Sequence, residues 1–92
     1  IKIIVITMAI IYKTSSPKGK RVCPRNGSDY SLEELQAVVK GNIELVHLPF
    51  DMLMVVNEEG ALNRSEINIK ASLIANTLIY GDVLVCKATE VK

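Results

Sequence analysis

The side chains best suited to chemistry in this 92-residue chain are one histidine, two cysteines and two adjacent glutamate pairs. His47 sits in the apolar run Glu44-Leu45-Val46-His47-Leu48, where strand alternation puts it on the face shared by Ile43 and Leu45. A general base needs a positioned partner and an accessible cleft, and the neighbouring residues supply neither. His47 is therefore read as a partly buried structural histidine near a strand end. Cys23 and Cys86 lie far apart in the chain, whereas structural zinc sites carry paired ligands at short spacing. No metal and no cofactor is expected. In an exported protein the two cysteines would suit a disulfide, and in a cytoplasmic one buried thiols; the thiol reading is adopted. A cysteine nucleophile needs a cation or a helix N-terminus to lower its pKa. Cys23, after Lys20 and Arg21 and before Arg25, comes nearer to that than Cys86, which closes Val83-Leu84-Val85 and reads as core.

The acids make no stronger case. Glu33-Glu34 suit the positive end of a helix dipole, and Glu58-Glu59 suit an exposed turn. Pro17-Lys18-Gly19-Lys20 has neither the spacing of a phosphate loop nor a hydroxyl after the lysine. No catalytic residue is assigned, and the chain is expected not to be an enzyme.

Charge gives a better lead. Eleven basic against ten acidic side chains leave a net charge of +1, which excludes a whole-protein field that would steer nucleic acid. The stretch from Lys13 to Arg25 nevertheless carries Lys13, Lys18, Lys20, Arg21 and Arg25 without one acid. Lys18, Lys20, Arg21 and Arg25 are thus candidates for anion or nucleic-acid contact. The plainer reading is a solvated loop whose charges blunt a strand edge. For a protein partner the candidates are Phe50, the sole phenylalanine and placed in a turn, with Glu58 and Glu59. A Phe50 folded back onto the core is the alternative there.

These residues need a scaffold, and the pattern supplies one. β-Branched aliphatics dominate the apolar residues, which favours strands. Ile1 to Tyr12 imitates the start of a signal peptide, but no small-x-small cleavage pattern follows and about 20 residues are needed to span a bilayer. Ile3 to Lys13 is read as a first strand, residues 1–7 as an N-terminal extension if Met8 is the natural start, and no membrane partner is expected. Thr14 to Gly19 is a turn cluster, Lys20 to Cys23 a second strand, and Pro24 to Ser28 a loop with an Asn26-Gly27 pair. Ser31 and Glu34 have capping-box spacing, and Tyr30 with Leu35 forms the matching hydrophobic staple. Leu32, Leu35, Val38 and Val39 follow at helical spacing until Gly41, which suits a left-handed end.

Ile43 to Leu48 and Met52 to Asn57 then read as a hairpin around Pro49-Phe50-Asp51. A second helix is expected to start at Asn63 or Ser65 and to bury Ile67, Ala71, Ile74, Ala75 and Leu78 as one stripe, stopping at Asn76-Thr77. Val83 to Cys86 is the last strand, with an extension to Glu90 allowed. The order β-β-α-β-β-α-β predicts one α+β domain over residues 1–92, a small mostly antiparallel sheet with two short helices covering one face.

Three blocks, Tyr30 to Gln36 (YSLEELQ), Met54 to Gly60 (MVVNEEG) and Tyr80 to Cys86 (YGDVLVC), resemble in type and order an uncharacterised domain-of-unknown-function family. Its members are small proteins of bacteria, phages and mobile elements, and the resemblance runs from Met8 to Cys86. It implies a phage or mobile-element setting and brings no catalytic residue or ligand with it. The expectation is a cytoplasmic, non-catalytic binding or adaptor module with an unknown protein partner. Nucleic-acid binding through Lys13 to Arg25 is the alternative, and a homodimer through exposed sheet edges is a further one.

Overall fold

The computed structural model describes residues 9–16, 18–63 and 65–91. The expected strand start at Ile3, the 1–7 extension, the signal-peptide comparison and Pro17 lie outside the described residues. Within them the elements are β1 (Ala9–Tyr12), β2 (Lys20–Val22), α1 (Leu32–Val39), β3 (Ile43–Leu48), β4 (Met52–Asn57), α2 (Ile69–Ala75) and β5 (Val83–Lys87). A 3-10 turn, Ala88–Glu90, follows β5 where the sequence allowed more strand. The five strands form one antiparallel sheet in the order β2-β1-β5-β4-β3. This is the expected α+β fold.

The two central strands explain the continuous apolar runs. β5 pairs with β1 on one side (Ile10 opposite Val85) and β4 on the other (Met54 opposite Val85). Val83, Leu84 and Cys86 are fully buried, as are Leu53 to Val56 of β4. Strands apolar on successive residues present hydrophobic side chains to both sheet faces. One cluster joins Leu84, Cys86, Val55 and Ala9 to Leu35 and Val39 of α1. The other joins Val83, Met54 and Val56 to Ala71 of α2 and to Ile79. The helices therefore lie on opposite faces, not together on one. The reason is topological: the connection carrying α1 runs from β2 to β3, the two sheet edges, across one face, while α2 lies in the connection between the neighbours β4 and β5.

α1 begins as the sequence predicts. The Glu34 amide donates to Ser31 Oγ (3.2 Å) and the Ser31 amide to Glu34 Oε1 (3.1 Å), closing the capping box. Its C-terminus differs: Lys40, at φ 62°, takes the left-handed position expected of Gly41. Gly41 serves another need, since a Cβ there would lie 2.7 Å from Asn57 Nδ2. That side-chain amide donates to Val39 O (2.9 Å), so the close approach ties the helix end to β4.

α2 starts later than expected. Neither Asn63 nor Ser65 is its cap; Asn68 is, with its Oδ1 accepting from the Ala71 amide (3.0 Å). Ile67 instead bridges Tyr80. Asn68 is buried, and its Nδ2 donates to Tyr12 O and Gly81 O, both at 2.9 Å. One side chain thus fastens α2 to the end of β1 and to the turn before β5. We predict that Asn68→Ala costs roughly 2–4 kcal/mol, because it removes a cap and orphans buried carbonyls together. Urea unfolding of the variant measures this.

Candidate functional site

The basic segment does not form one face. Ile11 and Lys20 are paired, as are Ile10 and Arg21, so Lys20 and Arg21 point to opposite sides of the sheet. Lys18 is exposed in the preceding loop. Arg25 lies beyond β2 and is exposed, with its backbone amide donating to Glu34 Oε2 (3.1 Å).

A cleft of about 390 Å³ opens between α1 and the β1–β2 edge. α1 packs over β3, β4 and β5, which leaves the β1–β2 strip without a helix above it. Ile11, Val22, Ala37 and Val38 give the cleft apolar walls, and Lys13, Arg25 and Lys40 bring three cations. Two acids share the lining and both are engaged. Glu34 serves the cap and the Arg25 amide, while Asp82 accepts from the Thr14 amide (3.0 Å) and lies 3.8 Å from Lys40 Nζ. That ion pair is the only one among the described residues, so Lys13 and Arg25 have no carboxylate in contact there. Cys23 lines the same cleft and is an exposed free thiol, unlike the buried thiol expected; Cys86 is the buried one.

The Tyr30 ring forms part of the wall, and its buried hydroxyl has no hydrogen-bond partner. Burial pushes that hydroxyl well above its ordinary pKa, and the charge of Glu90 adds to this. Burial, followed by Glu90, likewise raises Cys86 to about 11, so it stays a neutral thiol. Glu90 is itself buried: Oε1 accepts from the Lys87 amide (3.0 Å) and Oε2 is unpartnered. Glu34 moves the other way, lowered first by the Ser31 amide and then by the Arg25 amide.

The other candidates stand apart. Phe50 is 96% exposed at the β3–β4 hairpin tip rather than folded onto the core. With Asp51 it takes positive φ (63° and 56°) in the three-residue loop between the paired Leu48 and Met52, a backbone region that disfavours a bulky side chain. Glu58 and Glu59 are exposed at the opposite end of β4, a six-residue strand of about 20 Å, so they do not share a contact patch with Phe50. His47 is exposed on edge strand β3, not partly buried. Among the described residues no three His, Cys, Asp or Glu side chains gather as a metal site, and no helix is long and apolar enough to cross a membrane.

The expected buried stripe of the second helix is largely an outer surface. Only Ala71 is fully buried, with Ala75 packed beside it. Ile69 (73% exposed) and Leu73 (75%) face outward, and Ile67 and Leu78 line the same shallow depression. Ile69 and Leu73 are four apart on one helix face and lie outside the expected stripe, a spacing legible in the sequence.

The family described as "Domain of unknown function (DUF3846)" matches residues 8–92. The chain belongs to this family. No curated protein matches it, and no solved structure does. The match spans β1 to the end of β5, and with it the whole cleft and the α2 surface.

The lowered Glu34 pKa carries a sign. A carboxylate bound more tightly to its proton in the unfolded chain stabilises the fold above the unfolded value, and that contribution is lost as pH falls through the folded value. Thermal stability should therefore drop below about pH 4.5. In Glu34→Gln that part of the pH profile should flatten, as calorimetry across pH 3 to 6 would show on the order of a few degrees.

Proposed function

We propose that this chain is a non-catalytic binding module that works through protein contacts. The observation that supports the reading best is the apolar surface of Ile67, Ile69, Leu73 and Leu78 on and beside α2. A seven-residue helix gains little from propensity alone. Leaving Ile69 and Leu73 in water adds nothing to folding, whereas contiguous exposed apolar side chains are what a protein interface uses. Phe50 at the strained hairpin tip is a second exposed anchor. A cytoplasmic setting fits the exposed free thiol of Cys23. The mobile-element setting rests on the likeness of the three sequence blocks to small phage and mobile-element proteins.

Leu73→Glu combined with Ile69→Glu should leave the melting temperature within about 2 °C, because both side chains are exposed. A stoichiometric partner retained by the wild type and lost by the double variant supports the reading. Retention by both, or no partner from host cells, overturns it. Pairing of two copies along the outer edge of β3 is the remaining form of protein contact. A dimer seen in sedimentation and unaffected by the double variant places the contact at that edge.

Nucleic-acid binding is the weaker reading, since Lys20 and Arg21 project to opposite faces. No salt-sensitive mobility shift with DNA or RNA is expected at low salt. A shift abolished by Lys20→Glu with Arg21→Glu reverses this order of preference.

A further inference from the structure

We propose that the cleft between α1 and the β1–β2 edge is a binding site for a small organic anion with an apolar body. This goes beyond the protein-contact reading and uses a different surface.

Size comes first. At about 390 Å³ the cleft falls in the range of small-molecule sites, which are mostly apolar with a few placed polar groups. Ile11, Val22, Ala37 and Val38 meet that description from both sides, two from the sheet and two from the helix. They would take the ligand's hydrocarbon or aryl part out of water.

The charge of the ligand follows from which groups are already satisfied. Glu34 and Asp82 are held by backbone amides, and Asp82 also faces Lys40. Lys13 and Arg25 approach from different chain segments and form no salt bridge among the described residues, although the Arg25 charge acts on Glu34 at longer range. An anion placed between them gains charge-assisted hydrogen bonds without displacing a protein partner. A cationic ligand has no free acid to meet.

The third observation is independent of the cations. Tyr30 is 4% exposed, lines the cleft, and holds a hydroxyl with no partner. Buried hydroxyls are almost always satisfied. The hydroxyl itself has no exposed surface, so the ring, not the oxygen, is the part of Tyr30 that the ligand's apolar body would meet.

Cys23 makes the site measurable. It lines the cleft and is exposed, whereas Cys86 is fully buried, so in the folded protein an uncharged thiol reagent reads Cys23 alone. The probe is anilinonaphthalene sulfonate, an organic anion with an apolar body. It should bind one site on the full chain with an affinity that falls as salt rises. Saturating probe should slow N-ethylmaleimide modification of Cys23 by about fivefold or more. Lys13→Glu with Arg25→Glu, both at exposed positions, should weaken binding by about tenfold or more. Leu73→Ser controls for the probe's attraction to the α2 surface and should leave binding within about twofold. Two results overturn the proposal. One is a Cys23 rate unchanged at saturating probe; the other is binding lost with Leu73→Ser and indifferent to Lys13→Glu with Arg25→Glu.

Discussion

The position of β5 governs the molecule. The last strand in sequence lies at the centre of the sheet, hydrogen-bonded to β1 on one side and β4 on the other. The sheet cannot close until nearly the whole chain is available, and every residue of β5 from Val83 to Cys86 is shielded by a neighbour on one face or the other. A central strand buried on both sides needs apolar residues in succession, which is what Val83-Leu84-Val85-Cys86 provides. The same placement sends β2 and β3 to opposite edges, so the chain between them has to cross the sheet. The capping box and the left-handed Lys40 at either end of α1 fix the length of that crossing.

Cover is the next constraint. Five strands at about 4.8 Å spacing make a sheet roughly 20 Å wide, while a helix with its side chains is about 10 Å across. One short helix per face cannot shield it all. On one face α1 sits over β3 to β5 and leaves the cleft above β1 and β2. On the other, α2 contributes two alanines, and Tyr12, Val46, Leu48 and Val85 stay only partly buried beneath it. The cleft and the exposed apolar surface of α2 are therefore consequences of the same shortage of covering helix, seen from opposite sides.

Buried polar groups show where the fold is tied and where it is left open. Asn68 satisfies a helix amide and two carbonyls from distant segments. Such a residue holds geometry rather than adding area, because each of its partners would be costly to leave unpaired. Tyr30 and Glu90, joined through the Tyr30 amide and the Glu90 carbonyl, each keep one orphan atom. Burial first, and the Glu90 charge second, raises the pKa of both Tyr30 and Cys86, so both stay neutral beside the cleft.

By itself the sequence determined the elements that rest on local signals. The Ser31–Glu34 cap, the strand periods of β3 to β5 and the turn residues act through near neighbours, and they place every helix and strand in order. Two helices on one side were expected, whereas runs such as Leu53 to Val56 are buried on both faces of the sheet. Tertiary structure alone decided the rest. Whether Ile69 and Leu73 are core or surface depends on how much sheet α2 can reach, and whether Phe50 is buried depends on the hairpin extending past the helices. Lys13, Arg25 and Lys40 share one cleft only because α1 stops short of β1 and β2, and Lys20 parts from Arg21 because the pleat alternates. Periodicity records which residues could share a face; strand order, fixed by contacts between distant segments, chooses what that face meets.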